Sequence, residues 1–467
     1  MNVFFHGATR SVSGSLHVVE ARGQRWLLDC GLFQGRRQDM YDRNAGVPVA
    51  PAQVTGVLLS HAHVDHSGRL PRLVKLGYRG PIYATPATID LCALLLDDSA
   101  YVLRTQTRIL NLRRAPRNLP PLPDLYGEED VAQTLRQMVP VAWGTPVTLG
   151  PGLTAEFLPA GHILGASVIV LREQAGAAPC TLAFSGDIGR PGDWILPDPA
   201  VQAGAHHVIV ESTYGDKTHR PYQYARAEFA KNVGATLRGG GIVVIPAFSV
   251  GRTQRVIYEL HAMIAAGDVP PTPVFVDSPL SVEACIRFVN HADALRPLAH
   301  GAHSFAWLDA HNVVSSEESR LLRARPGPFI VITASGMCEA GRVLHHLKRA
   351  LPDAHSRVVF VGFCAEDTLG RWLRDGHDSA RINGDVVPVR AAIDQFDSFS
   401  SHADQPGLLD WVGAHGAARS VFLVHGEEPQ TFALAEQLER RIAAEVIVPF
   451  SGEGFTLTPD GVHSIHQ

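Results

Sequence analysis

Four potential metal donors crowd into six residues: His61, His63, Asp65 and His66, in the run Ser60-His61-Ala62-His63-Val64-Asp65-His66-Ser67-Gly68. Neutral imidazole and carboxylate are the ligands that suit zinc. Four such groups this close could hardly all point at one ion. They read as two sets for two adjacent ions, His61 and His63 for one, Asp65 and His66 for the other. The apolar run Val57-Leu58-Leu59 comes before them, and Leu70, Leu73 and Leu76 follow at helical spacing. A strand end entering a helix gives a site the rigidity that a histidine-rich surface loop lacks.

H-x-H-x-D-H resembles the second motif of the metallo-β-lactamase superfamily. That motif alone implies a metal-dependent hydrolase or oxidoreductase and leaves the substrate open. The elements that must hold it come from a chain of 467 residues, long enough for two domains with a sizeable core in each. Hydrophobic content of 45% and charged content of 19% are those of a soluble globular protein. No run of about 18 apolar residues predicts a membrane span. The start, Met1-Asn2-Val3-Phe4-Phe5-His6, lacks the basic and apolar regions of a signal peptide, so cytoplasm is the expectation. Six cysteines without a C-x-x-C suggest neither a disulfide framework nor a thiolate zinc site, whereas 23 histidines suit nitrogen ligation. A net charge of −5 argues against bulk electrostatic binding of nucleic acid and leaves room for a local basic groove.

Strands are expected over 2–6, 15–20 and 25–30. The third ends on Asp29, which by itself caps a turn and here resembles the superfamily's first motif, a support that fixes ligand orientation from behind. After the histidine cluster come a strand near Ile82-Tyr83-Ala84 and a helix from Ala87 to about Ile109. From Arg104 to Arg117 there are five arginines and no acid, either a solvated helix face or a patch for a phosphate backbone. His162, in a Gly-rich loop, resembles the third motif. Asp187, closing Ser185-Gly186-Asp187, resembles the fourth, where one carboxylate bridges two cations. Strand 207–212 leads into Glu211-Ser212-Thr213-Tyr214-Gly215-Asp216. Between about 214 and 394, strand-like runs (Gly241–Ala247, Pro273–Asp277, Phe329–Thr333, Val358–Gly362) alternate with helix-like runs (252–266, 281–290, 341–350, 366–374). This implies a parallel sheet with crossover helices, inserted within the first domain. Two turns there, around Arg252 and at Ser335-Gly336-Met337, put small residues between strand and helix, where free N–H groups and the helix dipole favour an anion. Tight strand–helix packing needs the same small residues. A helix over 405–414, strand 420–424, a helix over 430–441 and two or three closing strands complete the chain.

E-S-T-Y-G-D, F-S-S-H-A-D and V-H-G-E, in this order around an α/β insert, resemble motifs A, B and C of the β-CASP branch of the superfamily, across essentially the whole chain. The implied fold is α/β: a metallo-β-lactamase αββα sandwich (1–213 and 395–467) with an inserted α/β β-CASP domain (214–394), a parallel sheet flanked by helices. A histidine at motif C, His425, is the pattern of RNA-acting members. Ser401 departs from the Ala or Gly usual before the motif B histidine.

The resemblance implies two Zn2+ per chain, one held by His61, His63 and His162, the other by Asp65, His66 and His425, with Asp187 as the bridge and Asp29 behind them. Asp65, Asp187, Glu211 and His402 are the expected catalytic residues. His402 would be the general acid, with Glu211 orienting its ring. Zinc-activated hydroxide would attack phosphorus and leave a 5′-phosphate and a 3′-hydroxyl. Arg252, Ser335, Gly336, Met337 and Ser400 are the candidates for RNA phosphates. The insert is expected to leave a slot that admits single-stranded RNA and not a duplex. The expected partner is single-stranded RNA, with no membrane; a homodimer, and the choice of endo- or 5′→3′ exonucleolytic cutting, stay open. The competing readings are a catalytically idle RNA-binding scaffold and a small-molecule metallohydrolase of the same superfamily, which would lack the insert and its three extra motifs.

Overall fold

The computed structural model of the chain describes residues 1–467 except 36, 176–177, 298–309, 363, 365–366, 417 and 466–467. The described residues form two compact units: Met1–Thr218 with His402–Gln467, and His219–Ser401. The crossings at His219 and His402 lie a few residues beyond the 214 and 395 suggested by the motifs, because E-S-T-Y-G-D and the motif B histidine both pack in the first unit.

The first unit is a sandwich of two sheets. One has eight strands, in the order Gly461–Ile465, Gly454–Thr458, Asn2–Phe5, His17–Ala21, Gln24–Leu28, Gly56–Leu58, Ile82–Ala84, Met138–Pro140. The other has seven: Glu445–Ile447, Ser420–Val424, His207–Glu211, Ala178–Phe184, Ser167–Ala175, Leu153–Pro159, Val147–Gly150. Val3, Phe5, Trp26, Leu28 and Leu58 of the first sheet interlock with Phe157, Ile169, Phe184, Ile209 and Phe422 of the second in one apolar core. Burial of such side chains supplies most of what holds two sheets together, about 1.5–3 kcal/mol for each large one. Helices Pro86–Arg114 and Glu128–Gln137 pack together on one side, and Gln405–Ala414 and Glu428–Glu439 pack on the strands of the second sheet.

In the second unit six strands are all parallel, in the order Ala310–Asn312, Val274–Asp277, Phe329–Thr333, Ile242–Pro246, Arg357–Phe360, Ala392–Gln395. The central ones are buried along their length, as strands covered on both faces must be. The expected helices fall at Arg252–Ala265, Pro279–Asn290, Val343–Ala350 and Leu369–Arg374. Residue 366, the first of the expected fourth run, lies outside the described residues.

Several elements differ from expectation. Helix Tyr222–Arg238 was not anticipated: its buried face is built largely of Ala225, Ala230, Val233 and Gly234 around Phe229, so the 3.6-residue pattern carries little hydrophobic contrast. Ser316–Ala324 and the edge strands Ala310–Asn312 and Ala392–Gln395 were also unexpected. Leu76 is not a core residue: it ends the helix Leu70–Lys75 and is 40% exposed.

Candidate metal centre

The donors come from loops that leave neighbouring strands at one edge. Strands Ala178–Phe184, His207–Glu211 and Ser420–Val424 run parallel and side by side. Asp187, Glu211 and His425 therefore emerge together. Gln24–Leu28 and Gly56–Leu58 are likewise parallel neighbours, and deliver Asp29 and His61. Two of these residues take left-handed backbone conformations rarely adopted by side chains larger than glycine: Asp29 at φ 61° and His425 at φ 49°. Gly31 is needed for a close approach, since a Cβ there would overlap the backbone carbonyl of Asp65.

His61, His63, His162 and Asp187 bring one donor atom each within 4.8 Å of one another. His63 Nδ1 lies 3.2 Å from His61 Nε2 and 3.2 Å from His162 Nε2. Asp65, His66 and His425 form a second such group. There His66 Nε2 faces His425 Nε2 at 3.2 Å, and Asp65 Oδ2 lies 3.6 Å from His425 Nε2. Asp187 stands between the groups. Its Oδ2 is 3.6 Å from both His61 Nε2 and His162 Nε2. Its Oδ1 is 3.4 Å from His66 Nε2 and 3.3 Å from His425 Nδ1. One carboxylate thus offers an oxygen to each set.

Asp29 is fully buried behind the second set. It takes the Ser60 N–H at 2.8 Å and the Ser60 hydroxyl at 2.9 Å, and its Oδ2 lies 2.6 Å from His66 Nδ1. An Nδ1–H donated to Asp29 turns His66 Nε2 toward Asp187. Ser60 Oγ sits 3.0 Å from His61 Nδ1 and plays the same part there. Neither Ser60 nor Ser15, whose hydroxyl also reaches Asp29 at 3.2 Å, was anticipated; only its place next to His61 singles out Ser60.

Electrostatics favour cations. Burial, reinforced by neighbouring imidazoles, holds His61 and His162 well below the ordinary histidine value, and burial lowers His63 to about 4 against the pull of Asp65 and Asp187. These rings are neutral at pH 7, so their lone pairs converge and repel. Burial opposes charge on His66 as well, yet Asp187 and Asp29 outweigh it and raise its pKa well above normal. Burial likewise opposes ionisation of Asp187, and the surrounding histidines, His425 first, overcome it and keep the carboxylate far below its usual range. Asp187 Oδ1 and His162 Nδ1 are buried without a hydrogen-bond partner among the described residues. Buried polar atoms left this way are costly unless a ligand completes them. The neutral rings of His61, His63 and His162, the ionised Asp187 and its unpartnered Oδ1 all fit bound metal.

His402 lies beside the donors and outside both sets. Its ring centroid is 4.4 Å from that of His162 and 6.0 Å from that of Tyr214. Its Nδ1 is 3.0 Å from each oxygen of Glu211, which is completely buried and also accepts the Ile188 N–H at 2.8 Å. Glu211 has a second neighbourhood that the motif did not suggest: its carboxylate is within 4.8 Å of donor atoms of Asp187 and His425. Thr213 Oγ1, 3.2 Å from His425 Nδ1, is a further unanticipated support.

The expected phosphate contacts belong to the second unit. Arg252 opens helix Arg252–Ala265 after Gly251 and is buried. The Ser335-Gly336-Met337 turn follows the adjacent parallel strand, and a Cβ on Gly336 would come 3.2 Å from the Phe248 backbone nitrogen. The two turns therefore meet at the carboxyl ends of their strands, where open α/β sheets bind ligands. Ser400 is buried at the end of this unit.

A two-sheet αββα sandwich with histidine and aspartate donors gathered at one edge defines a metal-dependent hydrolase. Three family descriptions match the chain: "Metallo-beta-lactamase superfamily" over residues 11–221, "Beta-Casp domain" over 253–373, and "Zn-dependent metallo-hydrolase RNA specificity domain" over 386–449. The protein called Ribonuclease TTHA0252 from Thermus thermophilus is 37% identical over 460 residues, covering 97% of this chain and 99% of that one. A protein called Transcription termination factor FttA from Methanosarcina mazei is 30% identical, over 94% of this chain and 69% of its own length. A crystal structure of a protein of unknown function from Enterococcus faecalis V583 shares the fold with a TM-score of 0.55 at 14% identity, covering 97% of this chain and 99% of that one. The chain belongs to the β-CASP branch of the metallo-β-lactamase superfamily.

Proposed function

We propose that the protein is a zinc-dependent ribonuclease that hydrolyses phosphodiester bonds of single-stranded RNA, leaving a 5′-phosphate and a 3′-hydroxyl. The observation that carries the reading is Asp187, whose two oxygens face two separate donor sets while the His402–Glu211 pair lies alongside. The ribonuclease name of the Thermus relative and the RNA-specificity description matched by 386–449 support RNA as substrate. Two zinc ions, held by His61, His63 and His162 and by Asp65, His66 and His425, would bring the pKa of a water from near 16 toward ~7 and offset charge on the phosphate oxygens.

The chain's own side chains do the rest. Asp187 joins the sets and lowers the repulsion between two cations. Asp29 fixes the tautomer of His66. His402 gives a proton to the departing 3′-oxygen, a role worth ~10²–10⁴ in rate. Glu211 turns the His402 ring and favours its protonated form. Arg252, Ser335, Gly336, Met337 and Ser400 bind RNA phosphates away from the scissile one. Among the described residues, no helix is long and apolar enough to cross a membrane; we place the protein in the cytoplasm.

The test incubates the purified protein with 5′-labelled single-stranded RNA, with and without chelator. Chelator-sensitive cleavage to fragments ending in a 3′-hydroxyl is the expected result. Ladders would mean internal cutting and released mononucleotide would mean end-directed digestion. Intact RNA from a zinc-loaded, folded protein would refute the proposal.

A further inference from the structure

Helix Pro86–Arg114 runs from the metal centre to a basic far end, whose arginines are spread around the helix. At its start, the Thr85 and Thr88 hydroxyls hold the Gly165 carbonyl at 2.8 and 3.0 Å, three residues beyond His162. At its end, and in the turn after it, lie Arg104, Arg108, Arg113, Arg114 and Arg117, with no acid between Asp98 and Asp124. At 1.5 Å per residue, Arg104 lies about 27 Å and Arg113 about 40 Å along the axis from Pro86.

This is not the charge pattern of an ordinary solvated helix. Such faces carry opposite charges four residues apart, which stabilise the helix, whereas Arg104 and Arg108 are like charges at that spacing and repel. Arg104 has Glu128 at 3.5 Å, and Arg114 donates to the Pro120 carbonyl. Among the described residues no carboxylate pairs with Arg108, Arg113 or Arg117. Apolar groups are exposed between them: Tyr101 is 63% and Leu112 66% accessible. A groove of about 370 Å³ runs beside Arg108, lined by Asn111, Leu112, Leu119 and Pro121. The whole chain carries −5, so this concentration of guanidinium groups runs against its overall charge.

We infer that this surface holds the phosphate backbone of the RNA substrate at a distance from the cut, an exosite resting on the ribonuclease reading above. Guanidinium pairs with phosphate through two parallel hydrogen bonds, and an exposed tyrosine offers a stacking face for a base. At about 3.4 Å per nucleotide of a stacked strand, the helix between Pro86 and Arg104 matches about eight nucleotides in length. Short RNA therefore does not use the surface.

The test compares the unaltered protein with the triple variant Arg108→Gln, Arg113→Gln, Arg117→Gln, checked for unchanged circular dichroism. Fluorescence anisotropy with a 30-nucleotide single-stranded RNA gives affinity against salt. Losing three phosphate contacts lowers the log–log salt slope by about 2, at about 0.7 per phosphate on a single strand. Between 50 and 200 mM salt the unaltered protein then loses about 20-fold more affinity than the variant. KM for the 30-mer rises about tenfold or more in the variant, while kcat/KM for a tetranucleotide is unchanged. An unaltered salt slope with an unaltered 30-mer KM overturns the inference. So does a parallel fall in tetranucleotide cleavage, or a change in oligomeric mass with unchanged RNA affinity, which would make the surface a contact between copies. Should the unaltered protein cleave neither RNA, the ribonuclease reading fails, and the anisotropy slopes still decide for or against the surface.

Discussion

Replacing His402 by alanine separates proton transfer from metal binding. The ring lies tilted beside His162, at 4.4 Å between centroids, but contributes no atom to either donor set. The side chain is held from behind by Glu211, with both oxygens 3.0 Å from Nδ1. Loss of a positioned general acid costs ~10²–10⁴ in rate, or about 3–5 kcal/mol of barrier. Removing the ring also takes the His402 hydrogen bond from the buried Glu211 carboxylate, a stability cost of about 1–3 kcal/mol that a folded protein of this size tolerates. The assay has three parts: metal content by mass spectrometry, single-turnover cleavage of ordinary RNA, and cleavage of RNA with sulfur in place of the 3′-bridging oxygen at the cut. A thiolate leaves without help, having a pKa near that of cysteine, about 8.5. His402→Ala should keep full metal content, lose at least 100-fold on ordinary RNA, and come within about tenfold of the unaltered protein on the sulfur substrate. Metal loss, or an equal deficit on both substrates, would refute the assigned role.

Three further outcomes follow from the same geometry. Asp29→Asn keeps an acceptor for the Ser60 N–H but sets an amide against His66 Nδ1; zinc affinity should fall about 10–100-fold, as for other buried supports of metal-bound histidines, measured by competition with a chromogenic chelator. His425→Ala should lose about half the bound metal together with activity, because it empties one donor set of a ligand and leaves the other intact. His17 is wholly buried between the Phe5 and Phe184 rings, both nitrogens lack hydrogen-bond partners among the described residues, and burial lowers its pKa to about 3. A histidine kept neutral in the fold stabilises it fully above the unfolded value of 6.5 and loses that contribution as pH falls toward 3. At pH 4.5 the loss is two pH units' worth, about 2.7 kcal/mol. His17→Leu should therefore lose less stability than the unaltered protein between pH 7 and 4.5, read from urea midpoints; equal losses would show that another group governs acid sensitivity.

The donor residues that the fold brings together were legible because they stand at strand ends, in short strings whose spacing survives as sequence. The parallel insert was legible from apolar runs such as Val243-Val244-Ile245 and Ile330-Val331-Ile332, and the sandwich through the resemblance of its motifs. What stayed hidden depends on contacts between distant segments. No local pattern says that Glu211 approaches His425 as well as His402. The left-handed turns at Asp29 and His425 break the usual preference for glycine, so residue type alone does not announce them. Helix Tyr222–Arg238 escaped because alanine and glycine can line a buried face without raising its hydropathy. Leu76 misled in the opposite sense, an apolar residue in helical register that ends up facing solvent.

Zinc titration of the metal-stripped protein by calorimetry, with folding monitored by circular dichroism, tests the central claim most directly. Two equivalents per chain, with one tight site surviving in His425→Ala, is the predicted result. A single equivalent in the unaltered protein, or none from a chain that remains folded, would contradict a carboxylate bridge between two donor sets.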